Sequence, residues 1–275
     1  ISPHAPKVAG MRIALGQLLS TYDPAENLRT IADLARRAGE DGADLLVLPE
    51  ATMFAFGRRL TDVAEPLDGQ WASAVADLAR EHSVAIVAGM FTPGDGERVR
   101  NTTLIALPDG TVRGYAKIHL FDAFGFLESD TVDPGDEPVT FPVGDTTVGV
   151  ATCYDIRFPR LFTRLAHDGA TVTVVGASWG DGPGKVEQWE LLARARALDT
   201  TSWVVAVGQA NPLAAGEENP EKAPRGVGHS LVAAPDGTVV ASLGDGPDYA
   251  VVDLDMDLVE RTRKAIPVLA NAREL

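Results

Sequence analysis

The sequence has little cysteine: its 275 residues include only one, Cys153. A single thiol excludes intrachain disulfide bonds and is typical of proteins from the reducing cytoplasm, so we expect a cytoplasmic location. Lone cysteines are buried small hydrophobes more often than nucleophiles. A chemical role for Cys153 therefore has to rest on the residues around it.

Long apolar runs are absent as well. No segment approaches the roughly 20 apolar residues that cross a membrane, and residues 1–10 lack the apolar stretch of a secretory signal. We interpret residues 1–10 as a leader or a remnant of the expression vector, and expect them to be disordered. No Ser- or Gly-rich linker or charge run divides residues 11–275, which are predicted to form one domain.

Basic residues are few: 24 Lys and Arg against 39 Asp and Glu give a formal net charge of −15. A polyanion repels phosphate backbones and anionic lipid, so neither nucleic acid nor a membrane surface is an expected partner. No metal site is predicted either. Metal-ligand spacing is missing among the five histidines, which are His4, His82, His119, His167 and His229.

Short apolar runs alternate with amphipathic segments along the chain, which predicts an α/β fold. Several runs consist of Val, Ile, Leu and Ala without alternation, as expected of central strands covered on both faces. The predicted strands are Met11–Gln17, Asp44–Pro49, Val84–Phe91, Thr102–Leu107, Thr111–His119, Thr147–Thr152, Thr171–Ala177, Ser202–Gly208, Ser230–Ala234, Thr238–Leu243 and Tyr249–Leu254.

Helical periodicity marks four segments. The first has a clear start, with Asp23 as N-cap and Pro24 at the first helical position. A second helix is predicted over Gln70–Glu81, a third follows Pro159, and a fourth covers about 186–197.

The two halves of the chain resemble each other. The segment Leu104–Arg113 is similar to Leu231–Val240, and both read as strand, Pro-Asp-Gly turn and strand, which is a hairpin pattern. The preceding strands correspond in order, so each half is predicted to run strand–helix–strand–helix–strand–hairpin. Two such half-sheets packed face to face, with helices outside, predict a four-layer α-β-β-α sandwich.

Three polar residues stand at predicted strand ends, where α/β proteins collect their reactive groups. Glu50 follows the run Leu45–Pro49, and Lys117 lies late in the strand after the first Pro-Asp-Gly turn. Cys153 follows Val148–Thr152. Because the strands correspond between the halves, these ends are expected to share one crevice.

The chemistry of the three residues is complementary. A thiol becomes a strong nucleophile when it loses its proton, and the carboxylate of Glu50 can accept that proton. The ammonium of Lys117 can stabilise the anion that forms on an attacked carbonyl oxygen, with the backbone N–H of Tyr154 as a second donor. Taken singly, Cys153 is also compatible with a buried apolar side chain, and Glu50 and Lys117 with solvated strand ends or a structural ion pair.

Several segments, in the same order, resemble the motifs of the nitrilase superfamily of carbon–nitrogen hydrolases, over about residues 11–270. Leu48–Ala51 is similar to its glutamate motif, Lys117–Asp122 to its lysine motif and Ala151–Pro159 to its cysteine motif. The resemblance implies an α-β-β-α fold, frequent dimerisation, and a reaction without metal or organic cofactor. Further similar segments are Asn101–Thr103, Glu128–Asp136, Trp189–Arg196 and Gly228–Ser230.

The resemblance also implies roles for individual residues. Glu50 would be the general base, and then the acid that protonates the departing ammonia or amine. Lys117 would hold the oxygen of the tetrahedral intermediate, and Cys153 would form a thioester that water hydrolyses. Glu128 matches the additional glutamate of the family, which positions the lysine; a carboxylate on a surface loop is the alternative.

Within the superfamily, Cys153–Pro159 most resembles amidases acting on ω-amides of dicarboxylic acids and on deaminated glutathione. In those relatives the arginine that corresponds to Arg157 pairs with a substrate carboxylate, which suits its planar fork. An internal salt bridge, for example with Asp155, is the alternative. Trp179 would form a wall of the pocket or part of the core. The chain departs from these amidases at Gln188, where they carry a histidine.

The leading hypothesis is an amidase that releases ammonia from a small carboxylate-bearing amide. A nitrilase, an N-carbamoyl amine hydrolase and an acyltransferase using the same thioester are alternatives on the same site. A Cys–His hydrolase using His119 or His229, and a binding protein on a retired enzyme scaffold, are further alternatives.

The glycines of Gly180–Lys185 have the wrong spacing for a phosphate loop, and the segment is interpreted as a pocket loop or turn.

Overall fold

The computed structural model describes residues 10–218, 224 and 226–273. Of the segment interpreted as a leader, residues 1–9 lie outside the described residues, whereas Gly10 begins the first strand. The first strand therefore begins one residue before the predicted start at Met11, and the division into leader and domain stays a prediction. The prediction that residues 11–275 form one domain stays a prediction. No helix in the described ranges is long and apolar enough to cross a membrane.

The helices of the described chain are α1 (Pro24–Glu40), α2 (Gln70–Glu81), α3 (Pro159–His167), α4 (Lys185–Thr200), α5 (Asp257–Ala265) and α6 (Val268–Asn271). The start of α1 is as predicted: the Asp23 side chain accepts a hydrogen bond from the backbone N–H of Ala25 at 2.8 Å. This contact satisfies one of the donors that the first turn of a helix leaves unpaired. The bounds of α2 equal the predicted ones.

The strands of the described residues form two six-stranded sheets and one short hairpin. In spatial order the first sheet contains β14 (Asp248–Asp255), β1 (Gly10–Gln17), β2 (Leu45–Val47), β3 (Ala85–Pro93), β4 (Val99–Ala106) and β5 (Val112–Ala116). The second contains β13 (Val239–Ser242), β12 (Leu231–Ala233), β11 (Trp203–Gly208), β10 (Val172–Ala177), β9 (Thr146–Thr152) and β8 (Thr140–Val143). The hairpin contains β6 (Asp122–Ala123) and β7 (Phe126–Leu127).

The two sheets have equivalent topologies, which confirms the pseudo-equivalent halves. Strands β1, β2 and β3 run parallel, and β4 and β5 continue antiparallel. Strands β9, β10, β11, β12 and β13 repeat this order. Each sheet gains one antiparallel edge strand, β8 beside β9 and β14 beside β1. The last strand of the chain therefore completes the first sheet.

Three apolar clusters define the layers. One lies between the sheets and joins side chains such as Val47 and Val87 to Val150 and Val174. A second packs α1 and α2 against the other face of the first sheet, and a third packs α3 and α4 against the other face of the second sheet. The continuous apolar strands are thus covered on both faces, as their composition predicts. The resulting order is helix, sheet, sheet, helix.

The sequence pattern misses β8, the β6–β7 hairpin, α5 and α6. β8 contains Pro142 and lies at the edge of its sheet, where proline is tolerated. α5 has only nine residues, most of them polar, and buries only Val259, so its apolar positions are too few to identify a helix. A smaller error concerns Lys117, which follows the end of β5 at Ala116 rather than lying within the strand.

The turn after β2 fits between the sheets because two glycines leave room for it. Ala51 in this turn has a φ of +58°. A Cβ atom on Gly89 of β3 would lie 2.3 Å from the backbone nitrogen of Ala51, and one on Gly176 of β10 would lie 3.0 Å from that of Glu50. The position of Glu50 therefore depends on having glycine, without a side chain, at one position in each sheet.

Gly89→Ala is expected to destabilise the protein by about 1–3 kcal/mol, because the added methyl group has to displace backbone rather than a mobile side chain. Urea denaturation measures the free energy of unfolding. Gly244→Ala is the matched control, since a Cβ there meets no atom within 4 Å. Equal stabilities of the two variants would show that the Glu50 turn can shift at little cost.

Candidate active site

The residues that follow β2, β5 and β9 line one cavity of about 690 Å³. Its volume is within the range of small-molecule sites. Every side chain that the sequence analysis assigned to a site lies on its wall, namely Glu50, Lys117, Glu128, Cys153, Tyr154, Arg157 and Trp179. The fold thus brings the predicted residues together, and their roles in a reaction stay predictions.

Lys117 is the centre of a buried charge cluster. Its Nζ donates to Oε1 of Glu50 at 3.1 Å and to Oε2 of Glu128 at 2.9 Å, with Oε1 of Glu128 also at 3.1 Å. The three residues are 2%, 2% and 5% exposed. Taking ions out of water is costly, so each charge here depends on an opposite one. Glu128 is therefore not a surface-loop carboxylate.

Neutral donors complete the coordination of the two carboxylates. Nδ2 of Asn101 donates to Oε1 of Glu50 at 2.7 Å and to Oε1 of Glu128 at 3.2 Å. The backbone N–H of Ser178 donates to Oε2 of Glu50 at 2.8 Å, and that of Phe121 to Oε2 of Glu128 at 2.7 Å. Both halves of the fold therefore contribute to the position of Glu50.

The charges of the cluster also shift the pKa values of Lys117 and of the nearby Cys153. Burial by itself lowers the pKa of Lys117, but the negative charges of Glu50 and Glu128 outweigh it, so this pKa lies above its ordinary value. Burial raises the pKa of the Cys153 thiol well above its ordinary value; Glu50 raises it further, and Lys117 offsets only part of the rise. Two carboxylates and one ammonium leave a formal charge of −1, which disfavours a thiolate beside them.

Cys153 begins a 3₁₀ turn, Cys153–Arg157, directly after β9. Its φ is +46°, a conformation that a non-glycine residue keeps only when its surroundings hold it. A reciprocal pair of hydrogen bonds fixes the turn: the Thr152 side chain accepts from the backbone of Asp155, whose carboxylate accepts from the Thr152 N–H at 2.9 Å. The thiol therefore reaches the cavity from a constrained backbone.

Arg157 has a neutral partner. Its Nη2 donates to Oε1 of Gln188 at 2.7 Å, and its guanidinium lies 5.1 Å from the centroid of the Trp179 ring. An internal salt bridge with Asp155 is wrong, because the Asp155 carboxylate is hydrogen-bonded to other segments. Instead, the residue at which the chain departs from related amidases, Gln188, is the one that contacts Arg157.

Trp179 is part of both the wall and the core. It is 5% exposed, its ring centroid lies 5.3 Å from that of Trp189, and its Nε1 donates to the backbone oxygen of Lys185 at 2.9 Å. The Lys185 ammonium in turn lies 5.6 Å from the Trp179 centroid. Gly180 and Lys185 both line the cavity, as expected of a pocket loop.

Neither His119 nor His229 is among the residues lining this cavity. Nδ1 of His119 lies 2.7 Å from Oδ1 of Asp155, and its ring stacks on Phe158. These contacts suit a structural histidine and do not favour the Cys–His hydrolase. Within the described ranges, no group of three or more His, Cys, Asp and Glu side chains is arranged to hold a metal ion. The expectation of a cofactor-free reaction stays a prediction.

Asn101 and Ser178, which donate hydrogen bonds to Glu50, were not predicted as site residues, although patterns in the sequence could have identified them. The hairpin register pairs Thr102 with Ala116, and so brings Asn101 next to Lys117. Ser178 follows β10 as Glu50 follows β2, the corresponding strand of the other half. Pairing the hairpin and superposing the halves would have identified both residues.

Known proteins resemble the whole described chain. The family model for carbon-nitrogen hydrolase matches residues 12–264. Hydrolase Rv0480c of Mycobacterium tuberculosis is 54% identical over 268 residues, which cover 95% of either chain. Deaminated glutathione amidase of Escherichia coli O157:H7 is 34% identical and omega-amidase NIT2 of Xenopus tropicalis 31% identical, each covering at least 96% of both chains. The resemblance to the amidase branch is confirmed.

Solved structures give the same result for the fold. Nit3 of Saccharomyces cerevisiae, a member of branch 10 of the nitrilase superfamily, superposes with a TM-score of 0.83 at 28% identity over 96% of this chain and 98% of its own. An amidase from Nesterenkonia sp. AN1, with acrylamide added to its active site cysteine, superposes with a TM-score of 0.78 at 28% identity over 94% and 98%. The α/β fold class is confirmed.

The rate of Cys153 alkylation by iodoacetamide is expected to keep rising with pH beyond the point at which an ordinary thiol levels off, because the raised pKa keeps the thiol protonated. Mass spectrometry of the single thiol measures the rate constant. The same chain unfolded in urea is the control, and its rate should be half-maximal at about pH 8.5 and level off roughly one pH unit higher. A plateau below about pH 8 in the folded protein would contradict the raised pKa.

Proposed function

This chain belongs to the carbon–nitrogen hydrolase family, and we propose that it is an amidase that cleaves a small carboxylate-bearing amide through a thioester on Cys153. The observation that carries the proposal is the thiol on a constrained turn, in one cavity with the buried Glu50, Lys117 and Glu128. The amidase names of the relatives support it, as does the acrylamide adduct on the active site cysteine of the Nesterenkonia amidase.

In the first half of the proposed reaction, the thiol of Cys153 attacks the amide carbonyl carbon. Because the resting thiol is neutral, its proton has to pass to the Glu50 carboxylate as the S–C bond forms. When the tetrahedral intermediate collapses, the C–N bond breaks and Glu50 gives the proton to the departing nitrogen. This half leaves a thioester and releases ammonia, or an amine from a substituted amide.

Lys117 suits the oxyanion role because it retains its proton and is already oriented. An ammonium has three N–H donors. Glu50 and Glu128 accept two of them, the one toward Glu128 being shared between its oxygens. The third is left for the carbonyl oxygen of the intermediate, and the backbone N–H of Tyr154 is the proposed second donor.

In the second half, water attacks the thioester. Glu50 takes a proton from the water as the C–O bond forms and delivers it to the departing sulfur, so that Cys153 returns as a thiol. The acid product then ionises in solvent. An acyltransferase would differ only at this step, where an amine would replace the water.

The acyl group is proposed to carry a carboxylate because two cations border the same tryptophan. Arg157 and Lys185 both lie within 6 Å of the Trp179 ring centroid, at 5.1 Å and 5.6 Å. The partner of Arg157 is a neutral amide, which leaves its charge uncompensated among the described residues. A guanidinium binds a carboxylate through two parallel hydrogen bonds, so Arg157 is the proposed carboxylate contact.

Ammonia release from succinamate or α-ketoglutaramate is expected, with a loss of turnover in Cys153→Ala on the order of 10⁴-fold or more, because no nucleophile remains. A coupled ammonia assay over a panel of amides, nitriles and N-carbamoyl compounds measures it. Circular dichroism of the variant controls for folding. If a nitrile or a carbamoyl compound were turned over and no amide were, the proposed amide substrate would be wrong.

Arg157→Met is expected to raise KM for an anionic amide about 10- to 100-fold, because a charge-assisted hydrogen bond contributes roughly 1.5–3 kcal/mol. KM for a neutral amide of similar size should change little, and steady-state kinetics on both substrates measure the split. The matched control is Arg160→Met, since Arg160 is exposed and is not on the cavity wall. An unchanged KM for the anion would assign Arg157 a structural role.

A further inference from the structure

Asp155 is a buried carboxylate that the proposed reaction does not use. It is 0% exposed, and both of its oxygens accept two hydrogen bonds. Oδ1 accepts from the backbone N–H of His119 at 3.0 Å and lies 2.7 Å from Nδ1 of the same residue. Oδ2 accepts from the hydroxyl of Tyr115 at 2.7 Å and from the backbone N–H of Thr152 at 2.9 Å. Four donors thus replace the water that a buried anion loses.

The partners of Asp155 flank two residues of the proposed reaction. Tyr115 lies two positions before Lys117, and His119 lies two positions after it. Thr152 directly precedes Cys153, and Asp155 itself lies two positions after it. Asp155 therefore connects the chain on both sides of Lys117, through the Tyr115 hydroxyl and the His119 backbone, to the turn that contains Cys153.

The carboxylate joins two segments that lie just beyond the ends of strands, the second of them being the 3₁₀ turn Cys153–Arg157. β5 ends at Ala116, one residue before Lys117, and β9 ends at Thr152, one residue before Cys153. The φ of +46° at Cys153 is unfavourable for a non-glycine residue, so the surroundings have to hold it. Hydrogen bonds to a buried charge are among the stronger ones available for this purpose.

We propose that Asp155 is a positioning residue, which fixes the Cys153 thiol relative to Lys117 and Glu50 without touching the substrate. This inference rests on the proposed function for its kinetic consequences. Loss of the tie lets the turn relax, so that the thiol moves away from the base and the oxyanion donor. Acylation then slows for any amide, whether or not Arg157, which ends the same turn, also shifts.

Asp155→Asn tests the proposal. An amide accepts at only one of its two positions, so one backbone N–H, of either His119 or Thr152, has to face another donor. We expect kcat to fall about 100-fold or more for the anionic amide and for a neutral amide alike, because the thiol is misplaced for both. We also expect alkylation of Cys153 by iodoacetamide at pH 7 to become faster, because a relaxed thiol leaves the buried acidic cluster. Slower turnover together with faster alkylation, in a folded protein, is a combination that a merely structural residue would not produce.

Tyr115→Phe keeps the packing of the buried ring and removes one of the four hydrogen bonds, so it serves if Asp155→Asn does not fold. A fall in kcat of about 10-fold is expected, with the same increase in alkylation rate. The matched control is Tyr249→Phe, which also removes a tyrosine hydroxyl that donates to an aspartate, Asp41, at 2.9 Å, but away from the cavity wall. This control should retain wild-type kinetics and alkylation.

The outcomes separate this inference from the proposed function. Wild-type kcat and alkylation rates in folded Asp155→Asn, or in Tyr115→Phe where Asp155→Asn is unfolded, would overturn it. A lower kcat without a change in alkylation would also overturn it, since the thiol would not have moved. If the wild-type protein turned over no amide, the proposed function would fail, and the alkylation rates alone would decide on Asp155.

Discussion

The structure of the site depends on one interaction, the burial of the Lys117 ammonium between the carboxylates of Glu50 and Glu128. A lone ammonium at 2% exposure would lose its proton or unfold its surroundings. The two carboxylates reverse this tendency and raise its pKa. The two carboxylates and the one ammonium together have a formal charge of −1. This negative charge, together with burial, raises the pKa of the Cys153 thiol and keeps it protonated. The same cluster thus supplies a fixed cation for an oxyanion and a carboxylate that can accept the thiol proton.

The duplicated sheet explains how Glu50 and Ser178, which are 128 positions apart in the sequence, meet in this cluster. Glu50 follows β2 in the first sheet, and Ser178, which donates to it, follows the equivalent strand β10 in the second. A Cβ on Gly89 of the first sheet would lie 2.3 Å from the backbone of the Glu50 turn, and one on Gly176 of the second sheet would lie 3.0 Å from it, so the turn packs closely against both sheets. Sheet packing is therefore a condition for the geometry of the charges, because a shift of either sheet would change the donor set of Glu50.

Much of this arrangement could be predicted from the sequence. Cap chemistry located Asp23 and the start of α1, and the two Pro-Asp-Gly hairpins indicated the halves. Local patterns failed where tertiary contacts decide. The partner of Arg157 proved to be Gln188, which is 31 positions away on another element, and neither side chain carries a signal of that pairing. The burial of Asp155 could not be predicted either, because the local sequence does not distinguish a buried aspartate in a turn from an exposed one.

Recognition of an anion by this molecule has to be local. The chain carries a formal charge of −15, and the buried cluster adds no attraction of its own. Charges are screened over about 8–10 Å at physiological ionic strength, so the distant acidic surface matters less to a bound carboxylate than the cations in direct contact. Arg157 is the proposed contact of this kind, and Lys185 lies near the same Trp179 ring. For the proposed anionic substrate, the overall repulsion would slow the encounter and the cation at the proposed contact would stabilise the bound state, because the long-range and short-range fields have opposite signs.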